Sequence, residues 1–317
     1  MKGVFLDHMS LDNNDLDFSA LDAVIDEWQF FDETLPNEVM SRIADADVVI
    51  SNKVELNAET LTNAINLKLV CVAATGTNNI NLQAALANSI QVCNVRAYGS
   101  ASVAQHVFML LLNLSRSFNE YQRAVQNGRW QNSSQFCFMD YPIADLSGKV
   151  MGIVGYGELG QAVAKLAEAF GMIVKIAQRP NAEKKTGRVE LDELLAEADV
   201  ISLHCPLTDE TRHLIGEEQF LKMKPSAFLI NAARGGIVDE VELVKALRTQ
   251  QIAGAGFDVL AEEPPQEDSV LLDTSIPNLI VTPHIAWASQ LARQTLLDII
   301  VDNISSFKKG RLNNRVI

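Results

Sequence analysis

The sequence of 317 residues has no uninterrupted apolar run near the length of about 18 residues that a membrane-spanning helix needs. Charged residues already appear within Met1 to His8, too early for the apolar core of a signal peptide. Hydrophobic residues make up 48% and charged residues 21%, a balance that excludes a collagen-like fibre, a long coiled coil and a disordered tail protein. We therefore expect a soluble, cytoplasmic protein with no membrane partner.

Only four cysteines occur, and none has the CxxC spacing of a zinc or redox motif. Cys71, Cys93, Cys137 and Cys205 stand among apolar residues, which is typical of buried free thiols. The sequence therefore predicts a reducing compartment, no disulfide and no metal site.

Basic residues are outnumbered, since 26 lysines and arginines face 40 aspartates and glutamates and give a formal net charge of −14. Such a surface repels a phosphate backbone, and Lys184-Lys185 and Lys308-Lys309 are only pairs. We expect no nucleic-acid partner.

Apolar runs typical of buried strands alternate with amphipathic stretches typical of helices. In the first hundred residues, strands are predicted at 3–7, 48–51, 68–73 and 90–94, with helices at 58–65 and 82–88. From Gly148 onward, strands are predicted at 150–154, 172–177, 200–203, 227–231, 254–259 and 279–282, with helices at 159–170, 191–197, 217–223, 240–248 and 289–308. The sequence thus predicts an α/β fold with two parallel sheets covered by helices.

Residues 100–128, between these two regions, are predicted to form one helix of about 25 residues. Its first half is apolar around most of its circumference, which indicates burial on several sides. We interpret it as a bridge between domains that also forms a homodimer interface, the alternative being a core helix alone. His106 on this segment is interpreted as a core or interface histidine.

A glycine-rich turn follows the strand at 150–154 and precedes a helix. The first glycine of the pattern GxGxxG permits the tight turn, the second lets the backbone approach a pyrophosphate, and the third lets the helix pack against the strand. The alternative is a tight turn without a ligand. The pattern predicts a dinucleotide site formed by Gly155, Tyr156, Gly157, Glu158, Leu159 and Gly160.

The next strand, at 172–177, is followed by Gln178 and Arg179, where NAD-specific sites usually have an acid that binds the adenosine ribose. A guanidinium can make two charge-assisted hydrogen bonds to a 2′-phosphate. We therefore expect NADP to be favoured over NAD, with dual use as the alternative.

Three ionisable residues follow successive strands of the second region: Arg234, Glu263 and His284. The carboxyl ends of parallel strands lie at one edge of a sheet, where open α/β folds bind ligands. An arginine that holds a carboxylate, an imidazole that donates a proton and a carboxylate that orients the imidazole are the groups needed to reduce a 2-oxo acid.

These motifs resemble those of the D-isomer-specific 2-hydroxyacid dehydrogenases, in particular the glycerate dehydrogenase/hydroxypyruvate reductase group. The resemblance covers essentially the whole chain, and its most specific segments are 51–54, 74–78, 154–157, 204–208, 231–235 and 282–287. It implies two Rossmann-like or flavodoxin-like domains with the active-site cleft between them. The substrate domain would be residues 1–98 with 286–317, and the dinucleotide-binding domain residues 99–285.

The resemblance also implies a role for each matching residue. Arg234 would anchor the substrate carboxylate, Glu263 would pair with the histidine, and His284 would donate the proton. Asp258 would hold the nicotinamide amide. Further cofactor contacts would come from His204, Cys205, Pro206, Ala232 and Ala233, and further substrate contacts from Lys53, Thr75 and Gly76.

We interpret the chain as an NAD(P)-dependent reductase that converts a short 2-oxo acid, with hydroxypyruvate or glyoxylate favoured, to its D-2-hydroxy acid. One alternative is a formate- or phosphite-type dehydrogenase, which would require different residues around the arginine and extra insertions. The other is a non-catalytic NAD(P)-sensing binding protein on the same scaffold, against which the intact Arg234, Glu263 and His284 argue.

Overall fold

The computed structural model describes residues 1–181 and 183–317, and the chain divides into two compact units. The first unit contains residues 1–99 and 287–317, and the second contains residues 100–286. None of the helices in the described ranges has both the length and the apolar character required to cross a lipid bilayer.

The first unit is built on a five-stranded parallel sheet. Its strands are β1 (Lys2–Phe5), β2 (Glu27–Phe30), β3 (Val48–Ser51), β4 (Leu69–Val72) and β5 (Gln91–Cys93), in the order β2-β1-β3-β4-β5. Its helices are α1 (Ser19–Val24), α2 (Val39–Ile43), α3 (Ala58–Asn63), α4 (Leu82–Ala87) and the last helix of the chain, Gln290–Lys308. Successive residues of the central strands enter separate cores, since Val49 and Val70 pack in one cluster and Ile50 and Cys71 in another. This division is the pattern of a sheet covered on both faces.

The second unit is built on a seven-stranded parallel sheet. Its strands are β6 (Val150–Val154), β7 (Ile173–Ala177), β8 (Arg188–Val189), β9 (Val200–Leu203), β10 (Phe228–Asn231), β11 (Gly254–Phe257) and β12 (Leu279–Val281). Its helices are α5 (Ser100–Ser115), α6 (Phe118–Gln126), α7 (Glu158–Ala169), α8 (Leu191–Glu197), α9 (Glu217–Lys222) and α10 (Glu240–Arg248), so the last helix of the chain is α11. The strand order is β12-β11-β10-β9-β6-β7-β8. The predicted fold class, with two parallel-sheet α/β units, is confirmed.

The order of the second sheet reverses between β6 and β9, because the chain first adds strands on one side of β6 and then on the other. The carboxyl ends of strands at such a switch point form the crevice where open α/β sheets bind ligands. Here the turn after β6 and the residues after β9 lie at that point.

The predicted single helix at 100–128 is wrong. The structure has two helices, α5 and α6, separated at Ser117, whose φ of 47° lies in the left-handed region. The Ser117 hydroxyl donates to the Pro142 carbonyl at 2.7 Å and so helps to hold the break. α5 packs on the sheet of its own unit, where Leu110 lies so close to Gly256 that an added Cβ would be 2.9 Å from the leucine Cβ.

Candidate active site

The glycine turn after β6 has the packing that a dinucleotide site requires. Gly155 has a φ of 95°, and a Cβ there would lie 2.5 Å from the carbonyl carbon of His204. A Cβ on Gly160 would collide with the Gly155 carbonyl oxygen. At Gly157, by contrast, no atom of the described residues other than its own chain neighbours lies within 4 Å of an added Cβ, so the N-terminus of α7 is open. This open cradle fits a pyrophosphate, because helix N-termini present N–H groups and a positive dipole end to anions.

His204 follows β9 beside this turn. Its Nε2 lies 2.8 Å from the Ser202 hydroxyl, and its buried Nδ1 has no hydrogen-bond partner in the described part of the chain. Burial lowers the pKa of His204 to about 4, so the ring is neutral at physiological pH. A buried polar atom without a partner beside an open cradle is a group that a bound ligand can satisfy. The neighbouring Cys205 thiol has a pKa raised by burial, which keeps it protonated.

The segment after β7 is organised by Gln178. Its Oε1 accepts the N–H of Lys185 at 3.2 Å, and its Nε2 donates to the Glu183 carbonyl at 3.0 Å. The predicted cofactor residue Gln178 is therefore engaged with its own loop, whereas Arg179 is exposed. Other basic residues of this segment are Lys184, which pairs with Glu190 at 2.8 Å, Lys185 and Arg188.

The turn after β10 presents Arg234. The Asn231 side chain is fully buried and bonds to two points of the turn: its Nδ2 donates to the Arg234 carbonyl at 3.0 Å, and its Oδ1 accepts the Ala233 N–H at 3.1 Å. Ala232 and Ala233 are buried, while Arg234 is exposed. Gly235 touches the carbonyl of Leu260 with no room for a Cβ, so this turn packs on the segment after β11. The guanidinium is therefore exposed, while these contacts hold the backbone that carries it.

His284 and Glu263 are paired, with Nδ1 of the ring 2.7 Å from Oε2 of the carboxylate. The second carboxylate oxygen of Glu263 accepts the N–H of Leu260 at 2.9 Å. His284 has a φ of 54°, a conformation that few residues other than glycine adopt. The structure thus brings a carboxylate and an imidazole together, as the sequence predicts.

Asp258, directly after β11, is buried and ionised. Its Oδ1 accepts the N–H of Ile285 at 2.9 Å and its Oδ2 accepts that of Ala286 at 2.8 Å. Burial raises its pKa, but hydrogen bonds from His106, Thr282 and these N–H groups outweigh burial and hold the pKa below the usual value. The support that Asp258 and Thr282 give to the 284–286 backbone could not be predicted from the sequence. No local motif signals a contact between residues that lie 24 or more positions apart.

The predicted substrate residues of the first unit follow β3 and β4. The Lys53 N–H donates to the carboxylate of Asp7 at 2.6 Å, and the Asn52 N–H donates to the same group. Thr75 is fixed by its hydroxyl, which donates to the Val95 carbonyl at 2.9 Å. Burial raises the pKa of Asp7, although three backbone N–H groups oppose this effect. Asp7, which the sequence analysis did not select, shapes the loop that carries Lys53.

Within the second unit, Arg234, Glu263 and His284 follow β10, β11 and β12, which are neighbours in the sheet. The glycine turn and His204 follow β6 and β9 at the same edge. In the residues that the structure covers, no three His, Cys, Asp or Glu side chains are grouped so that they could hold a metal ion.

Comparison with known proteins agrees with this geometry. Residues 108–286 match the family described as D-isomer specific 2-hydroxyacid dehydrogenase, NAD binding domain. The chain is 46% identical over 308 residues to a glycerate dehydrogenase of Methylorubrum extorquens, covering 95% of this chain and 97% of the relative. It is 41% identical over 317 residues to a hydroxypyruvate reductase of Blautia hydrogenotrophica, covering 98% of both.

A solved structure of an NADPH-dependent glyoxylate/hydroxypyruvate reductase from Sinorhizobium meliloti, in complex with NADP and malonate, matches with a TM-score of 0.82. The sequence identity is 26%, and the match covers 99% of this chain and 96% of the other. The predicted family resemblance is confirmed. The chain belongs to the D-isomer specific 2-hydroxyacid dehydrogenase family.

Proposed function

We propose that this protein catalyses the NAD(P)H-dependent reduction of a short 2-oxo acid, with hydroxypyruvate or glyoxylate favoured, to the D-2-hydroxy acid. The observation that carries the proposal is the 2.7 Å pair of His284 with Glu263, on strand ends adjacent to the one that presents Arg234. The names of the relatives support the substrate class, since they are a glycerate dehydrogenase and a hydroxypyruvate reductase.

Each residue has a separate task in this reaction. The guanidinium of Arg234 holds the substrate carboxylate with two parallel hydrogen bonds. A reduced nicotinamide, when bound, would supply the hydride that the carbonyl carbon accepts. His284 donates a proton from Nε2 to the carbonyl oxygen, so that C=O becomes CH–OH and the ring is left neutral. Glu263 holds Nδ1 and thereby orients Nε2. In the reverse direction, the neutral ring accepts the hydroxyl proton.

We also propose roles for the remaining predicted site residues. Asp258, His204, Cys205, Pro206, Ala232 and Ala233 would contribute to cofactor binding, and Lys53, Thr75 and Gly76 to substrate binding. The open turn at Gly157 and the unpartnered Nδ1 of His204 support the cofactor assignment. We propose residues 99–285 as the dinucleotide-binding domain and residues 1–98 with 286–317 as the substrate domain. Each boundary between these domains lies one residue from the corresponding boundary of the compact units.

For the cofactor, we propose a preference for NADP over NAD. The segment from Gln178 to Arg188 contains four basic residues and places no acid directly after β7. Exposed Arg179 can reach a 2′-phosphate, whereas Gln178 contributes by folding the loop. The similar structure from Sinorhizobium meliloti is described as NADPH-dependent, whereas other similar structures contain NAD.

We propose that the protein is a cytoplasmic homodimer formed through the 100–128 helix region. The exposed apolar side chains of this region include Val125 at 39% and Phe118 at 53%, and the segment that follows it exposes Trp130, Phe136 and Met139. Exposed apolar side chains that form a patch often mark an interface, and a twofold interface is the commonest kind in homo-oligomers. Light scattering at micromolar concentration should give twice the chain mass of 34.8 kDa, and a monomer mass would exclude the dimer.

The proposed function is tested by the consumption of NADPH and NADH at 340 nm with a panel of 2-oxo acids. We expect turnover with hydroxypyruvate and glyoxylate, and chiral chromatography should identify the D isomer of glycerate as the product from hydroxypyruvate. Oxidation of formate or phosphite without reduction of any 2-oxo acid would favour the formate-type alternative. Tight NAD(P)H binding with no turnover of any acid would favour the sensing protein.

A further inference from the structure

Three side chains from distant parts of the second unit form a continuous hydrogen-bonded line. Nε2 of His106, on α5, lies 2.9 Å from the hydroxyl oxygen of Thr282. That hydroxyl lies 2.6 Å from Oδ1 of Asp258. Nε2 of His106 also approaches the same Oδ1 at 3.3 Å. The line therefore joins the helix α5 to the segment after β12.

The donor and the acceptor in each of these hydrogen bonds follow from the number of protons that each group carries. An ionised carboxylate can only accept, so the single hydroxyl proton of Thr282 is donated to Asp258. The Thr282 oxygen must then accept from Nε2 of His106, which therefore carries a proton. The side chains of His106 and Asp258, at the two ends of the line, are only 11% and 1% exposed, and Thr282 between them is partly buried.

The far end of the line holds the backbone around His284. Oδ1 of Asp258 accepts the N–H of Ile285, and its Oδ2 accepts the N–H of Ala286. His284 itself has a φ of 54°, and a strained backbone of this kind persists only where its surroundings over-determine it. Asp258 supplies two of the contacts that hold this conformation.

A core histidine that only fills space would not need this geometry. Its ring could be replaced by an apolar side chain of similar size at a cost in packing energy alone. Here the loss of Nε2 would leave the partly buried Thr282 oxygen without its donor and the buried Asp258 carboxylate with one contact fewer. The consequence would be felt at residues 284–286, more than 170 positions away in sequence.

We propose that His106 is a positioning residue for the reduction. By donating through Thr282 it fixes the carboxylate of Asp258, which in turn holds the 284–286 backbone and so aims the imidazole of His284. This inference rests on the proposed function, in which His284 is the proton donor. The sequence alone favours a core or interface histidine at position 106, whereas the contacts of the ring support a positioning role.

The kinetic test compares His106→Leu with His106→Gln, whose amide can place an N–H donor near the position of Nε2. We expect kcat with hydroxypyruvate to fall about 10- to 100-fold in His106→Leu, while the KM for the acid, held by Arg234, changes less than about threefold. His106→Gln should recover most of this loss. Thr282→Val should reproduce the loss, and Thr282→Ser should not.

Val107→Ala is the matched control, because Val107 is the next residue of α5, is fully buried and takes no part in the line. It should lower the melting temperature and leave kcat unchanged. If His106→Leu keeps the wild-type kcat, or if Leu and Gln lower kcat equally, His106 is only structural and the proposal is wrong.

A second measurement separates this inference from the proposed function. The chain has five histidines, so ¹⁵N-histidine NMR of the full-length protein gives few ring signals, and each can be assigned by a single substitution. We expect a slowly exchanging Nε2–H signal for His106 that Thr282→Val removes, and a displaced His284 ring signal in His106→Leu but not in Val107→Ala. An unmoved His284 signal would overturn the inference even in an active enzyme. If the wild type reduces no 2-oxo acid, the proposed function fails, while the displaced signal would still show that His106 positions His284.

Discussion

Nδ1 of His284 lies 2.7 Å from Oε2 of Glu263, and Oε1 of the same carboxylate accepts the N–H of Leu260 at 2.9 Å. One side chain therefore orients the imidazole and ties it to the loop after β11. The pair is partly exposed, with 29% of the histidine and 34% of the glutamate side chain accessible. A substrate can therefore reach the ring while the carboxylate restricts its orientation.

Glu263→Gln should impair turnover more than binding. In the wild type the two carboxylate oxygens make these two contacts separately, whereas glutamine has one oxygen and one NH₂ group, so one of the two positions no longer holds an acceptor. We expect kcat to fall about 10- to 100-fold with little change in KM for the 2-oxo acid. Glu262→Gln is the matched control, since Glu262 is the adjacent glutamate and contacts Gln266. Equal kinetics of the two variants would remove Glu263 from the mechanism.

Arg234→Lys should be far from conservative. Lysine keeps the charge but lacks the planar fork that aligns a carboxylate. We expect kcat/KM for the 2-oxo acid to fall. The fall should correspond to a loss of on the order of 2–4 kcal/mol of transition-state stabilisation. The control is Arg248→Lys. Arg248 is the last residue of α10 and pairs with Asp273, and this substitution should have no such effect. Near-normal kinetics of Arg234→Lys would show that Arg234 does not anchor the substrate.

Arg179→Ala should change the cofactor preference. We expect the wild type to have a higher kcat/KM for NADPH than for NADH, and we expect the variant to lose this advantage selectively because a 2′-phosphate loses its guanidinium partner. Arg311→Ala, which removes an exposed arginine of the first unit, serves as the control. A wild-type ratio below one, or a ratio that Arg179→Ala leaves unchanged, would contradict the assignment.

His204 should make the cofactor-free protein sensitive to acid. Its pKa is about 4 when folded and about 6.5 when unfolded, so between these values the unfolded chain binds more protons. The contribution of His204 to the free energy of unfolding is complete above pH 6.5. It decreases by up to about 3 kcal/mol as the pH falls toward 4.

This prediction is measured by urea unfolding at pH 7.5 and pH 4.5. The fall in unfolding free energy between the two should be smaller in His204→Gln than in the wild type. His213→Gln, which alters an exposed histidine, should behave like the wild type. The same fall in all three proteins would show that His204 does not titrate in this range.

The strands of the sheet centres could be predicted from the sequence because burial on both faces leaves continuous apolar runs. Val48–Ser51, Val150–Val154 and Val200–Leu203 have the predicted bounds. β2 was missed because Glu27–Phe30 is an edge strand whose side chains are largely exposed, so it has no apolar run to signal it. The break at Ser117 was missed because the adjoining segments are helical in pattern and the break depends on a contact with distant Pro142.

The candidate site also contains residues that could be predicted from the sequence and contacts that could not. Arg234, Glu263 and His284 could be selected because each follows a predicted strand and matches a family motif. The line from His106 through Thr282 to Asp258 could not, since α5 meets the end of β12 only in the folded chain. Gln178 was assigned to the cofactor from its position after β7, while its hydrogen bonds to its own loop are visible only in three dimensions.

The most direct test of the account is the turnover of His284→Gln with hydroxypyruvate at saturating NADPH. Glutamine cannot donate a proton as an acid, so we expect kcat to fall by about 10²- to 10⁴-fold while the fold and the affinity for NADPH are retained. His213→Gln, measured beside it, should keep the wild-type rate. A kcat of His284→Gln within tenfold of the wild type would show that another group donates the proton, and the mechanism proposed for this protein would be wrong.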